Sequence, residues 1–437
     1  MKLKFISKID YLLLLCIVFL TSIGIAFIYS SGFNSDGVNV SREYIKQIIW
    51  LGIGLVLLIA VSAFDYRQLN KYSLHFYVAM IAMLLYTRFF GRLVNGARSW
   101  IGIGDFGIQP SEFGKVFYIL YLAKILDDTA NGDQLKRFFL ATGVLLLPMG
   151  LILLQPDLGT SSVYLPIYFI MCFIAGVPLR YIGYIFLFGV FTIFLAILPV
   201  WNSEIALTPL AVISILTNMR LRMLLIFAFL IITLLGYVIR RYLHGPRYIH
   251  WIIYFTSIIG LALIFSLLLG KVLKDYQIKR LIIFMNPNKD PLGAGWNIIQ
   301  SKVAIGAGGL IGQGYLMGTQ SHYRFLPQQS TDFIFSILSE EFGFLGGILV
   351  FSLYLIILLK ILYIMRKCVN RYGSYICAGI FGMFTFHFFI NVGMVMGIMP
   401  ITGIPLLFLS YGGSSLLTAM TCIGLIMNIN YRKAELK

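Results

Sequence analysis

The sequence predicts an all-α, polytopic integral membrane helix bundle, and three observations carry that prediction. Of 437 residues, 59% are hydrophobic and only 12% are charged, whereas soluble proteins have roughly 25% charged and about 45–50% apolar residues. That leaves too little polar surface to coat a water-soluble globule of this size. Apolar runs of about 20 residues, the length that crosses a bilayer as a helix, recur from one end of the chain to the other. Backbone groups in lipid must be bonded within their own segment, so these runs must be helices.

The first element is an apolar stretch over 11–29 preceded by Lys2, Lys4 and Lys8. It is long for the apolar core of a cleavable signal and lacks an A-x-A site, so it reads as an uncleaved first span. Further spans follow at 46–64, 74–90, 111–126, 138–154, 160–177, 181–200, 221–239, 250–272, 333–365, 375–398 and 404–430. Basic residues collect on the cytoplasmic side of spans. Threading from a cytoplasmic N-terminus places Arg67/Lys71, Lys136/Arg137, Arg180, Arg240/Arg241/Arg247, Arg366/Lys367/Arg371 and Arg432/Lys433 on that side together. Twelve spans with both ends cytoplasmic therefore satisfy one rule. The segment 203–219 is apolar but interrupted by Pro209, which suits a surface or re-entrant piece and would change the count if it spanned.

The same rule explains the charge. Thirty-four Lys+Arg against 17 Asp+Glu gives a formal +17, which in a soluble chain would suggest nucleic acid. In a membrane bundle no nucleic-acid partner is needed. The five cysteines (Cys16, Cys172, Cys368, Cys377, Cys422) form no CxxC and read as small apolar packing residues.

Two segments break the charge rule. Residues 88–100 carry Arg88, Arg92 and Arg98. The long loop 273–332, placed outside, carries Lys274, Lys279, Arg280, Lys289, Lys302 and Arg324. Either these cations face water and headgroups, or they hold an anion; phosphate is the natural candidate for Arg and Lys. The loop also holds Gly293, Gly295, Gly306, Gly308, Gly309, Gly312, Gly314 and Gly318, and glycine lets backbone amides approach an anion. The pattern is neither a Walker loop nor a dinucleotide fingerprint, since no strand precedes it, so nucleotide binding is not expected.

Ionisable groups within spans are costly and usually paired or functional. Glu112 and Lys115, three apart, share a helix face and form either a mutual ion pair or one that also orients a headgroup. Asp157, after Pro156, either caps the next helix or faces a ligand. Asp332, where the long loop re-enters the membrane, either caps the following helix or serves as general base for a sugar hydroxyl, a role worth about 10²–10⁴-fold. Glu340 or Glu341 faces a polar cavity or a partner helix. His387 and Asn391, four apart, read as a buried hydrogen-bond pair rather than a proton relay.

Several stretches resemble the SEDS family of membrane glycosyltransferases, in particular its RodA branch. They are Gly96-Ala97-Arg98-Ser99-Trp100, Gln109-Pro110-Ser111-Glu112-Phe113-Gly114-Lys115, Gln155-Pro156-Asp157-Leu158-Gly159-Thr160, Lys274-Asp275-Tyr276-Gln277, Asp290 to Asn297, Gln300-Ser301-Lys302, Thr331-Asp332-Phe333, Glu340-Glu341-Phe342-Gly343, Asn391 to Met394 and Gly403 to Ser415. Gly318-Thr319-Gln320-Ser321 looks closer to RodA than to the division paralogue FtsW. The matches run in family order from about residue 10 to 430. The resemblance implies a peptidoglycan polymerase joining lipid II during cell elongation and shape maintenance, at the outer face of the bacterial cytoplasmic membrane. It implies Asp332 as the catalytic group, and Arg98, Glu112, Lys115, Asp157, Gln300 and Lys302 as substrate-binding positions. It also implies a class B penicillin-binding protein and the elongation machinery as partners. A divalent cation, Mg²⁺ or Mn²⁺, on the diphosphate is an open alternative role for Asp332, with no dense carboxylate cluster demanding one.

The sequence departs from the family pattern twice. Family members usually have ten spans, so 201–250 reads as an insertion adding about two within one SEDS-type domain of residues 1–437. Many relatives carry Glu and His where this chain has Gln328 and Ser330. Two other readings remain open: a polyprenyl-pyrophosphate lipid flippase, and a noncatalytic scaffold for a partner transpeptidase.

Overall fold

The structure is a computed structural model and describes residues 10–34, 37–94, 97–103, 106–204, 210–242, 246–272, 280, 283–287, 290–291, 293 and 295–432. The basic positions Lys2, Lys4, Lys8, Lys274, Lys279, Lys289 and Lys433 lie outside the described residues, as does the stretch Lys274 to Gln277. The chain divides into two compact units, residues 1–177 with 296–437, and residues 178–295.

The first unit begins with α1 (Tyr11–Ser30), α2 (Glu43–Ala63) and α3 (Tyr66–Phe90). A three-stranded antiparallel meander follows, β1 (Arg92–Val94), β2 (Ala97–Ile103) and β3 (Phe106–Ile108), in which Leu93 faces Arg98 and Ile101 faces Ile108. Next come α4 (Pro110–Asp128), α5 (Gln134–Leu154) and α6 (Leu158–Ile174). In the second unit lie α7 (Leu179–Glu204), the seven-residue α8 (Ala211–Thr217), α9 (Met219–Tyr242) and α10 (Tyr248–Val272). The first unit resumes with α11 (Trp296–Ala307), α12 (Thr319–His322), α13 (Ile334–Lys367), α14 (Arg371–Val395) and α15 (Gly413–Arg432).

Ten of these helices are long and apolar enough to cross a membrane; the protein is a polytopic membrane protein. The two other predicted spans are helices as well. α4 carries Glu112 and Lys115 in its first turns, and α6 is 17 residues long. α8 is too short to span, about 10 Å at 1.5 Å per residue.

Helix starts follow from local chemistry. Asp10, Asp65, Asp133, Asp157 and Asn370 each accept a hydrogen bond from a backbone N–H in the first turn of the helix that follows, satisfying donors that have no intrahelical partner. α13 contains 34 residues, about 51 Å of helix, more than a bilayer core. It is broken at Gly343, whose backbone is non-helical at φ 61°. The predicted continuous span 333–365 is thus two segments meeting at a bend.

One end of the first unit is tied by a buried arginine. Arg137 donates to Leu126 O at the end of α4 (2.7 Å), to Ala175 O beyond α6 (2.6 Å) and to the Tyr375 hydroxyl on α14 (3.4 Å). Helix C-termini carry partial negative charge, which compensates its guanidinium. Nearby on the same end, Asp65 pairs with Arg67 (2.9 Å) and with Arg432 from α15 (3.4 Å). The opposite end, bearing the meander, α11 and the 402–412 segment, carries the candidate site. None of the five cysteines forms a disulfide, and four of them are buried.

Candidate active site at the meander end of the bundle

Asp332 precedes α13, half-buried. The N-cap position of α13 is taken by Phe333, the residue after Asp332, and the Phe333 side chain makes no cap hydrogen bond. The main chain of Asp332 is fixed from both sides. Its N–H donates to Gln328 O (3.1 Å), and its carbonyl accepts from the Asn391 amide (3.0 Å). Beside its carboxylate runs the 402–405 segment, where a Cβ built on Gly403 would lie 3.5 Å from Oδ2.

Asn391 and His387 sit one turn apart on α14, both fully buried. They are not bonded to each other, which corrects the expected pair. Each reaches instead for the 402–405 backbone. The Asn391 amide also donates to Ile404 O (2.8 Å), and His387 Nδ1 lies 2.9 Å from Pro405 O. Residues four apart on a helix share a face, and that face here binds an extended segment whose carbonyls would otherwise be orphaned.

Behind His387 lies Lys115, also fully buried. Its ammonium donates to Glu112 Oε1 (2.8 Å) and lies 3.1 Å from His387 Nε2. The mutual ion pair predicted from spacing is present. Both members sit beneath the surface, so any effect on a ligand passes through His387 or through space. Glu112 Oε2 is buried with no hydrogen-bond partner.

Asp157 takes the cap position of α6. It accepts from Thr160 N (3.0 Å) and Thr160 Oγ1 (2.8 Å), and from the Gln109 amide (2.8 Å) just before α4. The Gln109 backbone N–H donates to Ser414 Oγ at the start of α15 (3.0 Å). Asp157 is therefore both cap and cross-link. Gln109, Thr160 and Ser414 were all visible in the sequence motifs but carried no assigned role.

Arg98 on β2 and Lys302 on α11 are exposed, and among the described residues neither side chain makes a hydrogen bond or ion pair within the protein. Lys302 lies along Gly397: a Cβ there would be 2.3 Å from its Cε and 2.7 Å from its Nζ. α11 is anchored by Ser301, which bonds Ser336 on α13 (2.7 Å) and Val395 O on α14 (2.7 Å). Gln300 is half-buried on the same helix. Arg324 is exposed in the connection between α12 and α13.

Part of the glycine-rich stretch packs against α13. A Cβ on Gly308 would sit 1.9 Å from Ser339 O, and one on Gly312 2.1 Å from Glu341 O. Its amides are spent internally: Gly312 on Gly308 O, Gln313 on Glu340 O, Gly314 on Glu341 O. These glycines let the loop lie against α13 at the Gly343 bend, and none of those three amides is available to an anion. The Glu340 carboxylate accepts from Gln320 N (2.7 Å) and Thr319 Oγ1 (3.1 Å), and Glu341 accepts from Ser30 Oγ and Leu316 N (3.2 Å). Both glutamates clamp the loop to the bundle.

A profile described as a cell cycle protein family, that of FtsW, RodA and SpoVE, matches residues 10–212 and 205–435. The chain belongs to the FtsW/RodA/SpoVE family. It is 54% identical to the peptidoglycan glycosyltransferase RodA of Treponema pallidum, covering 99% of this chain and 100% of that one. It is 31% identical to the stage V sporulation protein E of Bacillus subtilis, over 96% of both. Among solved structures, Thermus thermophilus RodA is similar at a TM-score of 0.60 and 22% identity, covering 97% of each chain. A chain from a peptidoglycan synthase complex that coordinates polymerization and crosslinking is similar at a TM-score of 0.68 and 24% identity, covering 97% and 98%. These likenesses establish the family's fold for this chain over nearly its whole length.

Proposed function

We propose that this chain is a peptidoglycan glycosyltransferase that polymerises lipid II during cell elongation and shape maintenance, with Asp332 as its general base. The observation that carries the reading is Asp332 itself: a half-buried aspartate whose backbone is held on both sides, at the bundle end that also bears the exposed cations Arg98 and Lys302. The 54% identical relative is named for the same activity. The donor is a polyprenyl-diphosphate-linked glycan and the acceptor is the 4-hydroxyl of another lipid's terminal sugar. The hydroxyl oxygen bonds the donor's anomeric carbon and its proton passes to Asp332. The carbon–phosphate oxygen bond breaks, its electron pair leaves with the diphosphate, and an α-linkage becomes β.

The leaving group's charge must be stabilised by preorganised positive groups. Arg98 and Lys302 take that role, with Gln300 beside Lys302 as a hydrogen-bonding partner. Glu112, Lys115 and Asp157 shape the site from behind. A divalent cation, Mg²⁺ or Mn²⁺, belongs to this proposal as a second role for Asp332. Among the described residues no group of three or more His, Cys, Asp or Glu could hold a metal alone, so diphosphate oxygens would complete the shell. When bound, the cation would neutralise charge on the leaving diphosphate.

The site would face outward from the bacterial cytoplasmic membrane, with a class B penicillin-binding protein and the elongation machinery as partners. Residues 201–250 would be an insertion adding about two spans; the family profile's two matched stretches meet within it. The test is gel analysis of lipid II polymerisation by purified wild type and Asp332→Asn, with and without divalent metal and partner. Asp332→Asn is expected to fold and make no glycan chains. Normal chain synthesis by this variant would refute the assignment. Labelled lipid crossing vesicles without new glycosidic bonds would favour translocation, and Asp332 variants that still support growth would favour a scaffold.

A further inference from the structure

We infer that His387 and Asn391 are positioning residues for Asp332, acting through the 402–405 segment. The inference rests on the reading of Asp332 as general base. The single Asn391 amide group bonds two carbonyls, those of Asp332 (3.0 Å) and Ile404 (2.8 Å). It therefore locks the aspartate's main chain to the segment that walls its carboxylate at Gly403. One helical turn away His387 holds the next carbonyl of that segment, Pro405 O (2.9 Å).

The histidine's protonation follows from its partners. An ammonium has three donors and no acceptor, so His387 Nε2 must accept from Lys115 at 3.1 Å. The ring proton then resides on Nδ1 and is donated to Pro405 O. Lys115 thereby selects the tautomer that can hold the segment, and Glu112 holds Lys115 at 2.8 Å. The chain of contacts runs Glu112, Lys115, His387, Pro405, Gly403, Asp332, and the same face of α14 closes it through Asn391. Four elements distant in sequence thus converge on the placement of one carboxylate, and none of the intermediate groups needs to touch substrate.

Two isosteric substitutions separate positioning from mere packing. In His387→Asn the amide nitrogen stands near the Nδ1 position and keeps the Pro405 bond. In His387→Gln the amide stands near Nε2, which keeps a Lys115 contact and loses Pro405. The full-length protein is purified and its lipid II polymerisation is followed for these two, for Asn391→Ala and for Asp332→Asn, with thermal unfolding in detergent recorded for each. His387→Gln and Asn391→Ala are expected to lower kcat by about 10–100-fold, the cost of a misplacement of about 1 Å, with KM for lipid II little changed, while His387→Asn retains most of the turnover. Equal kcat for the two His387 variants, or losses confined to KM or to the unfolding temperature, would overturn the inference. If Asn391→Ala does not fold, the His387 pair decides alone. An active Asp332→Asn would sink the general-base reading itself. An inactive Asp332→Asn beside fully active His387→Gln and Asn391→Ala would sink only the positioning role.

Discussion

Gly397 offers a way to test what Lys302 does without touching its charge. It sits beyond α14 at φ 72°, and the Lys302 side chain crosses the space a Cβ would fill, 2.3 Å from Cε and 2.7 Å from Nζ. In Gly397→Ala two costs arise. The left-handed backbone is worth roughly 1–2 kcal/mol against alanine and falls on stability. The displaced ammonium loses its preset position, and a charge-assisted hydrogen bond is worth about 1.5–3 kcal/mol. If that bond forms to diphosphate in the transition state, polymerisation slows by about 10–100-fold at about 1.36 kcal/mol per decade. Lys302→Ala should slow it similarly, and the double variant should be little worse than either single one, because each removes the same interaction. Turnover by quantitative gel assay, with unfolding temperatures alongside, reads the two costs separately. Multiplicative losses in the double variant, or an unaffected Gly397→Ala, would refute the proposed link between Lys302 placement and rate.

Three further outcomes follow from the packing. Glu340→Ala removes the acceptor for Gln320 N and Thr319 Oγ1, so hydrogen exchange should rise over residues 318–322 while α14 stays protected; unchanged exchange would show that the clamp is redundant. Arg137→Lys should destabilise nearly as much as Arg137→Met, because one ammonium cannot reproduce a planar fork reaching carbonyls at the ends of two helices; full retention of the unfolding temperature by lysine would contradict this. Burial alone would raise the Asp65 pKa, but the Arg67 hydrogen bonds and the nearby Arg432 outweigh it and hold the carboxyl below its usual range. A depressed folded pKa contributes stability that is present above the ordinary carboxylate value of about 3.9 and lost as pH falls through the lower folded value. Wild type should therefore lose unfolding temperature in that acid window more steeply than Asp65→Asn, and parallel profiles would exclude the linkage.

How much of this was legible in the sequence depended on the range of the interaction. Spans, caps and the Glu112–Lys115 pair obey rules that act within a few residues, and the structure follows them at 2.8 Å for that pair and at Asp157 for the cap. The partners that make a site of them were not legible. Lys115 and His387 are separated by 272 positions, and no local pattern distinguishes a lysine with one buried partner from a lysine with two. His387 and Asn391 were correctly placed on one face, yet spacing could not say that this face binds a third segment rather than itself.

The glycine-rich loop shows the deeper reason. Glycine removes a steric barrier, and what then approaches is decided by the rest of the fold: an anion and a neighbouring backbone both fit a missing Cβ. At Gly312 the neighbour is the Glu341 carbonyl, and at Gly343 it is Gly312 itself, 2.4 Å from where a Cβ would stand. The two glycines thus answer each other across the bend in α13, with the loop's amides spent on helix carbonyls freed there. A break in a membrane helix is tolerated only where its released backbone groups are satisfied again. The glycine loop supplies that satisfaction, and the bend brings Glu340 and Glu341 into reach of the segments they clamp. With the Gly312 and Gly314 amides spent in this way, the proposed reaction draws its positive charge for the diphosphate from the Arg98 and Lys302 side chains.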